Sequence, residues 1–206
     1  MRIGTFPLGD GPKWVCDPHR IAVSANTTKG CLVYSIGSNN DFSFETAVHD
    51  HISEKCEIHT FDPTVGASPT EKPDFVDFHP WGLGSSDEDG KVVLKTMPTL
   101  VKDLGHENRQ IDIFKIDCEG CEWTTYKDWF GSGVNIKQVQ VELHYGTLED
   151  DRYAHLEHPG PVAHNFFLHL ESLGYVIFHK EPNTLGCKGN CIEFSLIKME
   201  KSFWNY

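Results

Sequence analysis

The sequence predicts a single α/β domain built on an open, mostly parallel, doubly wound sheet. Short apolar runs that end in Gly or Asp alternate with longer segments whose apolar residues recur at helical spacing. The 206 residues fit one core, since single cores stop growing at roughly 250 to 300 residues. An alternation of strands and helices that ends in a hairpin places helices on both faces of such a sheet.

The first elements follow an N-terminal segment, residues 1–29, that is rich in Gly, Pro and Asp. This segment predicts an irregular lead-in to a domain that spans residues 30–206. Cys31–Gly37 is an apolar run of the kind found in strands buried on both faces. Apolar residues recur at helical spacing in Phe42–Lys55, and Glu57–Phe61 is the second strand.

The rest of the chain continues the alternation. We expect strands at Phe75–His79, Ile111–Ile116 and Val139–Leu143, a candidate edge strand at Lys91–Lys95, and helices at Thr99–Leu104, from Glu122 to about Phe130, and at Pro161–Leu173. Pro161 suits the first turn of the last helix. Tyr175–His179 and Ile192–Ile197, separated by a turn with Gly and Cys, predict a terminal hairpin.

Charge and hydropathy limit the classes of partner. The chain has 18 basic and 30 acidic residues, a formal net charge of −12, and no basic cluster longer than a pair. Nucleic-acid binding depends on concentrated positive charge, so the composition disfavours it and favours a small or neutral substrate. Met1–Asp17 lacks the apolar stretch of a signal peptide, and no run of 18 apolar residues occurs. We therefore expect a soluble chain without membrane insertion, in a compartment that the sequence leaves open.

The cysteines are an odd number, seven, so they cannot all pair within one chain. Cys118-x-x-Cys121 and Cys187-x-x-x-Cys191 superficially resemble a four-thiolate zinc site. We do not predict zinc there, because the first pair lies inside a motif with a stronger interpretation. Cys187 and Cys191 are expected to lie close together in the hairpin turn, either as a disulfide or as free thiols.

Two strand ends indicate a nucleoside ligand, since ligands of open α/β sheets bind beyond the carboxyl ends of the strands. Gly37 follows the first buried strand, where a missing side chain lets the backbone approach a ligand. Asp62 ends the next strand, 25 positions beyond Gly37. A carboxylate there can accept hydrogen bonds from both ribose hydroxyls of an adenosine cofactor. Each residue alone also fits a simple turn, and together they leave NAD and S-adenosylmethionine open.

Acidic residues and a histidine follow the other two strand ends. Asp117, Glu119 and Glu122 come after one strand, and Glu142 and His144 end the next. Glu119 and Glu122 also fit a structural role, because acids at a helix start interact favourably with the helix dipole. His144 is one of twelve histidines, so a place in the pocket wall is its alternative.

These segments resemble the motifs of a known family. Lys115–Trp123 resembles the K-I-D-x-E-G-x-E motif of FkbM-type methyltransferases, and Glu142–His144 resembles their E-x-H strand end. Ser35–Asn39 is similar to their D-x-G-x-N motif, with Ser35 in place of the usual acid. Gly11–Pro18 resembles, more narrowly, the methyltransferase domain of the animal "methyltransferase-like" proteins and their relatives.

The resemblance covers about Arg2 to Ile197 and implies a Rossmann-like sheet of the class I methyltransferase type, with seven strands of which the last is antiparallel. It implies S-adenosylmethionine as cofactor and methylation of an oxygen, often a sugar hydroxyl, so we expect a small-molecule or glycan acceptor. The cofactor-binding residues that it implies are Gly37, Ser38 and Asn39 for the amino acid part, Asp62 for the ribose, Trp81 and Gly82 beside the adenine, and Asp117. Asp41 or Glu45 is the acid that would substitute at the Ser35 position.

The expected chemistry is an SN2 transfer of the sulfonium methyl group to a hydroxyl. A neutral His144 would act as general base, with Asp117 or Glu142 orienting it or the substrate. Alternatively, the same three side chains would bind a divalent cation that lowers the hydroxyl pKa, although a metal is not favoured. Two rival functions are a non-catalytic ligand-binding module with this fold and a nicotinamide-dependent oxidoreductase. The absence of G-x-G-x-x-G disfavours the second rival.

Overall fold

Strands and helices alternate along the chain in the computed structural model, which describes residues 1–4, 11–28, 30–131, 133–145, 159–184, 187 and 190–204. In chain order the elements are β1 (Arg2–Ile3), β2 (Lys13–Trp14), α1 (Pro18–Ala25), β3 (Cys31–Ile36), α2 (Ser43–His51), β4 (Cys56–Phe61), β5 (Val76–His79), β6 (Trp81–Leu83), β7 (Glu88–Asp89), β8 (Val93–Lys95), α3 (Met97–Asp103), β9 (Gln110–Ile111), β10 (Ile113–Ile116), α4 (Cys121–Thr125), β11 (Asn135–Ile136), β12 (Gln138–His144), α5 (Pro159–Ser172), β13 (Tyr175–Asn183), β14 (Cys191–Lys198) and a 3-10 helix, Lys201–Trp204. Among these described helices, none has the length and apolar character that crossing a membrane requires.

Seven of these strands form the central sheet in the order β13-β14-β12-β10-β3-β4-β5. β5, β4, β3, β10 and β12 are parallel, and β14 is antiparallel to both of its neighbours, β12 and β13. The last strand therefore runs opposite to the other six, as the family resemblance implies. The strand order reverses between β3 and β10, which places the ligand crevice of such a sheet at the carboxyl ends of these two strands.

Helices cover both faces of the sheet, so the doubly wound α/β fold is confirmed. On one face, α3, α4 and α5 pack through Leu100, Trp123 and Phe166. On the other face, α1 and α2 pack through Ile21 and Val48. Burial on both faces explains why β3 is apolar along most of its length, since all six of its residues are buried.

The N-terminal segment contains more regular structure than the sequence predicts. β1 pairs with β2 in antiparallel register, and α1 begins at Pro18, which suits a first helical turn. Ile3 and Val15 are fully buried in the core beneath α1 and α2. The prediction of an irregular lead-in is therefore wrong for these parts of residues 1–29, because such short elements leave too little periodicity to detect. The domain boundary at residue 30 stays a prediction.

Several further boundaries differ from the sequence expectations. The candidate edge strand is confined to β8, which lies between β6 and β7 in a separate three-stranded sheet. α4 ends at Thr125, and turns rather than a helix lead to Phe130. The hairpin strands β13 and β14 extend beyond the predicted ranges, because backbone pairing continues where the apolar pattern has already stopped.

Six of the seven cysteines form disulfides, and Cys16 is the free one. The bonds are Cys31–Cys56, between neighbouring residues of β3 and β4, Cys118–Cys121 and Cys187–Cys191. The predicted proximity of Cys187 and Cys191 is confirmed, in the disulfide form. Each pair that resembles half of a zinc site is bonded within itself, so its sulfurs are not thiolate ligands in this structure.

Candidate active site

The carboxyl ends of four neighbouring parallel strands, β4, β3, β10 and β12, lie at one edge of the sheet. Asp62, Gly37 and Asp117 come directly after the first three strands, and Glu142 and His144 lie in the last three residues of β12. These five residues therefore lie together at the edge that the sequence predicts for them. We call it the carboxyl edge.

The turn after β3 depends on the glycine at its start. Gly37 has a φ of 81°, and a side-chain carbon added there would lie 1.8 Å from the Asp117 carbonyl oxygen. Lys115 Nζ also donates a hydrogen bond to the Gly37 carbonyl oxygen. The turns after β3 and β10 therefore pack directly on each other, and a glycine is required for this contact within the protein.

Asp62 anchors the same turn from the end of β4. One of its carboxylate oxygens accepts hydrogen bonds from the Ser38 and Asn39 backbone N–H groups at 2.8 and 2.7 Å. The other oxygen accepts from the backbone N–H and the hydroxyl of Thr64 at 2.8 and 2.6 Å. Burial alone would raise the pKa of Asp62, but these hydrogen bonds lower it. Asp62 is therefore an ionised anchor of the turn, and its contact with a ribose stays a prediction.

Trp81 and Gly82 lie in β6, close to the end of β5. The Trp81 ring stacks on His79 with centroids 4.7 Å apart, and Lys95 Nζ lies 3.6 Å from the Trp81 centroid. A side-chain carbon on Gly82 would come within 2.7 Å of the Leu94 side chain, so this glycine allows close packing of β6 on β8. The proposed contact of both residues with an adenine stays a prediction.

A buried acid lies near Ser35, the position at which the FkbM-type motif has an acid and this chain has a serine. Ser35 is fully buried on β3 and pairs in register with Thr60 of β4. Glu45 of α2 is 1% exposed and accepts a hydrogen bond from the Thr60 hydroxyl at 3.1 Å. Glu45, rather than the exposed Asp41, therefore supplies a buried carboxylate beside these strands.

A buried lysine joins three acidic side chains at this edge. Lys13 of β2 is 1% exposed, and its Nζ atom lies 3.4 Å from Asp117 Oδ2, 3.5 Å from Glu142 Oε2 and in direct contact with Glu193 Oε1. Glu193 of β14 lies opposite Glu142 in the strand register. Asn183 donates to the remaining Glu142 oxygen at 2.8 Å. One ammonium group therefore links the N-terminal segment to three strands of the sheet.

The acids of this cluster differ in protonation. Burial raises the pKa of Glu142, and the Asp117 charge raises it further, to about 9. Burial would also raise the pKa of Asp117, but the charges of Lys13, Lys115 and His144 hold it well below its usual range. At neutral pH, Glu142 is therefore protonated and hydrogen-bonded to an ionised Asp117.

His144 also lies among carboxylates. Its Nδ1 atom is 3.3 Å from Glu122 Oε1, and its Nε2 atom is 3.7 Å from both Asp117 Oδ1 and Glu119 Oε1. Burial would lower the pKa of His144, but the hydrogen bond and charge of Glu122, with the charge of Asp117, raise it to about 9. His144 is therefore an imidazolium at neutral pH.

An imidazolium has no lone pair to accept a proton, so the raised pKa of His144 disfavours the expected neutral general base, and that role stays a prediction. The three residues of the expected metal-ligand set do not converge in one group. Asp117 converges with Glu119 and His144 in one group, and with Glu142 and Glu193 in another. The Lys13 ammonium group already contacts all three carboxylates of the second group.

The two acids at the start of α4 have different roles. Glu122 is fully buried and accepts hydrogen bonds from the Cys118 and Gly120 backbone N–H groups at 2.9 and 2.8 Å, so it holds the loop. The Glu119 side chain is 62% exposed, and its φ is 57°. This left-handed conformation costs a non-glycine residue roughly 1 to 2 kcal/mol. Such strain at an exposed carboxylate is typical of functional sites.

Sequence reasoning missed Lys13, Glu193 and Asn183. Lys13 lies in a segment without periodicity, and the only signal for it is the resemblance carried by Gly11–Pro18. Glu193 lies in a hairpin strand, and the apolar pattern of that strand indicates only a structural role. Its contact with Lys13 joins residues that are 180 positions apart, which no local pattern reports.

The strand order and the polar residues at the carboxyl edge define the class I methyltransferase fold, which solved structures share. The fibrillarin pre-rRNA processing protein of Methanococcus jannaschii is 10% identical, with 92% of this chain and 71% of that chain covered and a TM-score of 0.54. A variant of the 16S rRNA (adenine(1408)-N(1))-methyltransferase from Catenulisporales acidiphilia is 8% identical, with 95% and 97% covered and a TM-score of 0.50. The O-methyltransferase from Bacillus cereus, in complex with S-adenosylhomocysteine, is 11% identical, with 90% and 83% covered and a TM-score of 0.47. At these identities, the first two structures show the fold alone.

The family follows from the sequence itself. Residues 1–198 match the family profile Methyltransf_22, described as a methyltransferase domain. The chain therefore belongs to this family and is an S-adenosylmethionine-dependent methyltransferase. A comparison with curated proteins finds no match.

The residues at the carboxyl edge fit this cofactor, which carries a sulfonium and an ammonium cation. Asp117 and Glu119 present carboxylates there, with side chains 19% and 62% exposed. A dinucleotide would need backbone N–H groups for its pyrophosphate. Those of Ser38 and Asn39 are already bound by Asp62. The donor set therefore favours a cationic cofactor over a pyrophosphate.

We expect Lys13→Met to destabilise the fold by about 3 to 5 kcal/mol, because removing one partner leaves buried charges uncompensated. Lys180→Met is the matched control, since Lys180 is exposed, and its effect should stay within about 0.5 kcal/mol. Denaturant unfolding of both variants measures the difference. Equal stabilities would show that Lys13 does not compensate the buried acids.

We also expect the free energy of unfolding to fall as pH rises from 6 to about 9. Both His144 and Glu142 have pKa values of about 9 in the folded chain, above their unfolded values, so the native state binds more protons than the unfolded state in this range. The slope is up to about 1.4 kcal/mol per pH unit for each proton retained. Glu142→Gln should reduce the slope and leave the contribution of His144. An unchanged slope in that variant would contradict the protonation of Glu142.

Proposed function

We propose that the chain transfers the methyl group of S-adenosylmethionine to a hydroxyl oxygen of a neutral small molecule, with a sugar hydroxyl as the favoured acceptor. The resemblance of Lys115–Trp123 and Glu142–His144 to FkbM-type motifs supports an oxygen acceptor. The net charge of −12 and the acids at the carboxyl edge support a neutral acceptor over a polyanion such as nucleic acid.

The observation that carries the proposal is the accessibility of Asp117. The side chains of Glu142 and Glu193 are only 3% and 8% exposed, whereas that of Asp117 is 19% exposed. The low pKa of Asp117 keeps it ionised. Asp117 is therefore a charged acid of the Lys13 cluster that a ligand at the carboxyl edge can reach.

S-adenosylmethionine supplies an electrophilic methyl group when bound. Asp117 accepts a hydrogen bond from the acceptor hydroxyl, which orients the oxygen lone pair for in-line attack. As the new oxygen–carbon bond forms, the sulfur–methyl bond breaks and the sulfonium becomes a neutral thioether. The alkylated hydroxyl is strongly acidic, so even a weakly basic carboxylate takes its proton and passes it to water. Lys13 Nζ lies 3.4 Å from one Asp117 oxygen and His144 Nε2 lies 3.7 Å from the other, so each oxygen has a cation nearby.

Asp117→Asn tests this assignment. We expect turnover to fall by roughly 10²- to 10⁴-fold, the usual contribution of a general base, because an amide cannot take the proton. Transfer from a labelled donor to a panel of glycans, small phenols and peptides measures it, and calorimetry with S-adenosylhomocysteine checks that the site is intact. Asp74→Asn, at an exposed position, is the matched control.

The outcomes of this assay separate the alternatives. Methylation of a nitrogen, or full turnover by Asp117→Asn, would contradict the proposal. Calorimetric binding of S-adenosylhomocysteine with no transfer to any acceptor would favour the non-catalytic module. Binding of NAD in its place would favour the oxidoreductase.

The pH profile tests the role of His144. We expect kcat to fall as pH rises through about 9, because the imidazolium that holds Asp117 then loses its proton. His144→Gln should lose this part of the profile and retain only the contribution of Glu142, which titrates in the same range. A rate that increases as His144 deprotonates would contradict this role and restore the general-base assignment.

A further inference from the structure

A second group of titratable side chains lies in the other half of β4. Glu57 and His59 are two residues apart on the same face of this strand, and His106 reaches them from the turn after α3. Glu57 Oε1 lies 2.9 Å from His59 Nε2 and 3.0 Å from His106 Nε2. At a rise of about 3.3 Å per residue, Glu57 is about 16 Å from Asp62, so this group is distinct from the carboxyl edge.

The distances between these ligand atoms suit an ion with tetrahedral coordination. Zinc bonds of about 2.0 to 2.1 Å place neighbouring tetrahedral ligands about 3.3 Å apart, so small shifts of Glu57 would admit the ion. The three ligand atoms all lie within 4.8 Å of one another. Two imidazoles and one carboxylate form a zinc ligand set that leaves a fourth position for water. The nitrogen ligands favour a transition metal over Mg²⁺ and Ca²⁺, which prefer oxygen.

The outer nitrogen of each histidine has a hydrogen-bond partner, as the second ring nitrogen of a metal-binding histidine usually does. His106 Nδ1 lies 2.8 Å from the Tyr34 hydroxyl, and His59 Nδ1 lies 2.9 Å from His79 Nε2. A hydroxyl and a neutral imidazole can each donate or accept. Both ligands can therefore take the Nδ1–H form that frees Nε2, without losing a partner.

The two carboxylate oxygens of Glu57 have different partners. Arg109 contacts Oε2, which leaves Oε1 for the ion. The Glu57 side chain is 37% exposed, whereas those of His59 and His106 are 7% and 6% exposed. An ion can therefore enter beside Glu57 and be held by the buried imidazoles.

From these contacts we propose that Glu57, His59 and His106 bind one divalent transition-metal ion, with Zn²⁺ preferred. The ion cross-links β4 to the turn after α3. It also fixes the start of a stack of rings, in which the His79 centroid is 5.2 Å from His59 and the Trp81 centroid is 4.7 Å from His79. This site does not depend on the identity of the methyl acceptor.

The test is zinc binding by the full chain, without an affinity tag and after removal of metal with a chelator. We expect one Zn²⁺ per chain in a competition titration with a chromophoric chelator. Glu57→Gln and His106→Gln should each weaken binding by at least about tenfold, the smallest loss usual when the support of a metal site is removed. Shifts of the His59 and His106 ring signals in NMR spectra on adding Zn²⁺ give a second readout in the unaltered chain.

Two control variants locate the ion. His49→Gln removes a histidine that pairs with Asp50 at 2.8 Å outside the cluster, and His144→Gln removes the histidine of the carboxyl edge. Both should bind Zn²⁺ with the affinity of the unaltered chain. No zinc binding by the folded chain, equal affinity in folded Glu57→Gln, ring signals of His59 and His106 that do not shift, or a loss confined to His144→Gln would each overturn the proposal.

Discussion

A buried ammonium group holds together the parts of the molecule that form the candidate active site. Lys13 comes from a two-residue strand outside the main sheet, yet it contacts acids at the end of β10, in β12 and in β14. Moving an ion out of water costs several kcal/mol, so charges at this depth persist only when they are paired. The N-terminal segment, the parallel strands and the antiparallel last strand are therefore interdependent, since each contributes a group that the others need.

The same pairing determines which groups can take part in chemistry. Glu142, closely surrounded by other acids, retains its proton, whereas the carboxylates around His144 stabilise its protonated ring. Asp117 lies between two cations and remains ionised. One edge of the sheet thereby combines a buried neutral acid with a partly exposed carboxylate. This division of roles suits a reaction in which the donor is already activated and the protein mainly orients the acceptor and receives a proton.

The sequence predicts the location of this site better than its electrostatics. Strand ends are marked by local changes from apolar runs to Gly or Asp, so Gly37, Asp62 and Asp117 could be assigned to the carboxyl edge. The protonation of His144 could not be predicted, because it depends on side chains that converge only in the folded chain. The lysine that joins the acids lies in a segment whose elements are too short to leave a pattern. Ion pairs between residues far apart in the sequence cannot be predicted from the periodicity or spacing of residues along the chain.

The most direct test is a crystal structure of the chain with S-adenosylhomocysteine. We expect the cofactor to lie in the crevice between the ends of β3 and β10, with its sulfur facing Asp117 and its adenine beside Trp81. In that structure Lys13 should still contact Asp117 and Glu142. A cofactor bound elsewhere on the sheet, or bound at this edge with Asp117 turned away from the sulfur, would contradict the proposed role of Asp117.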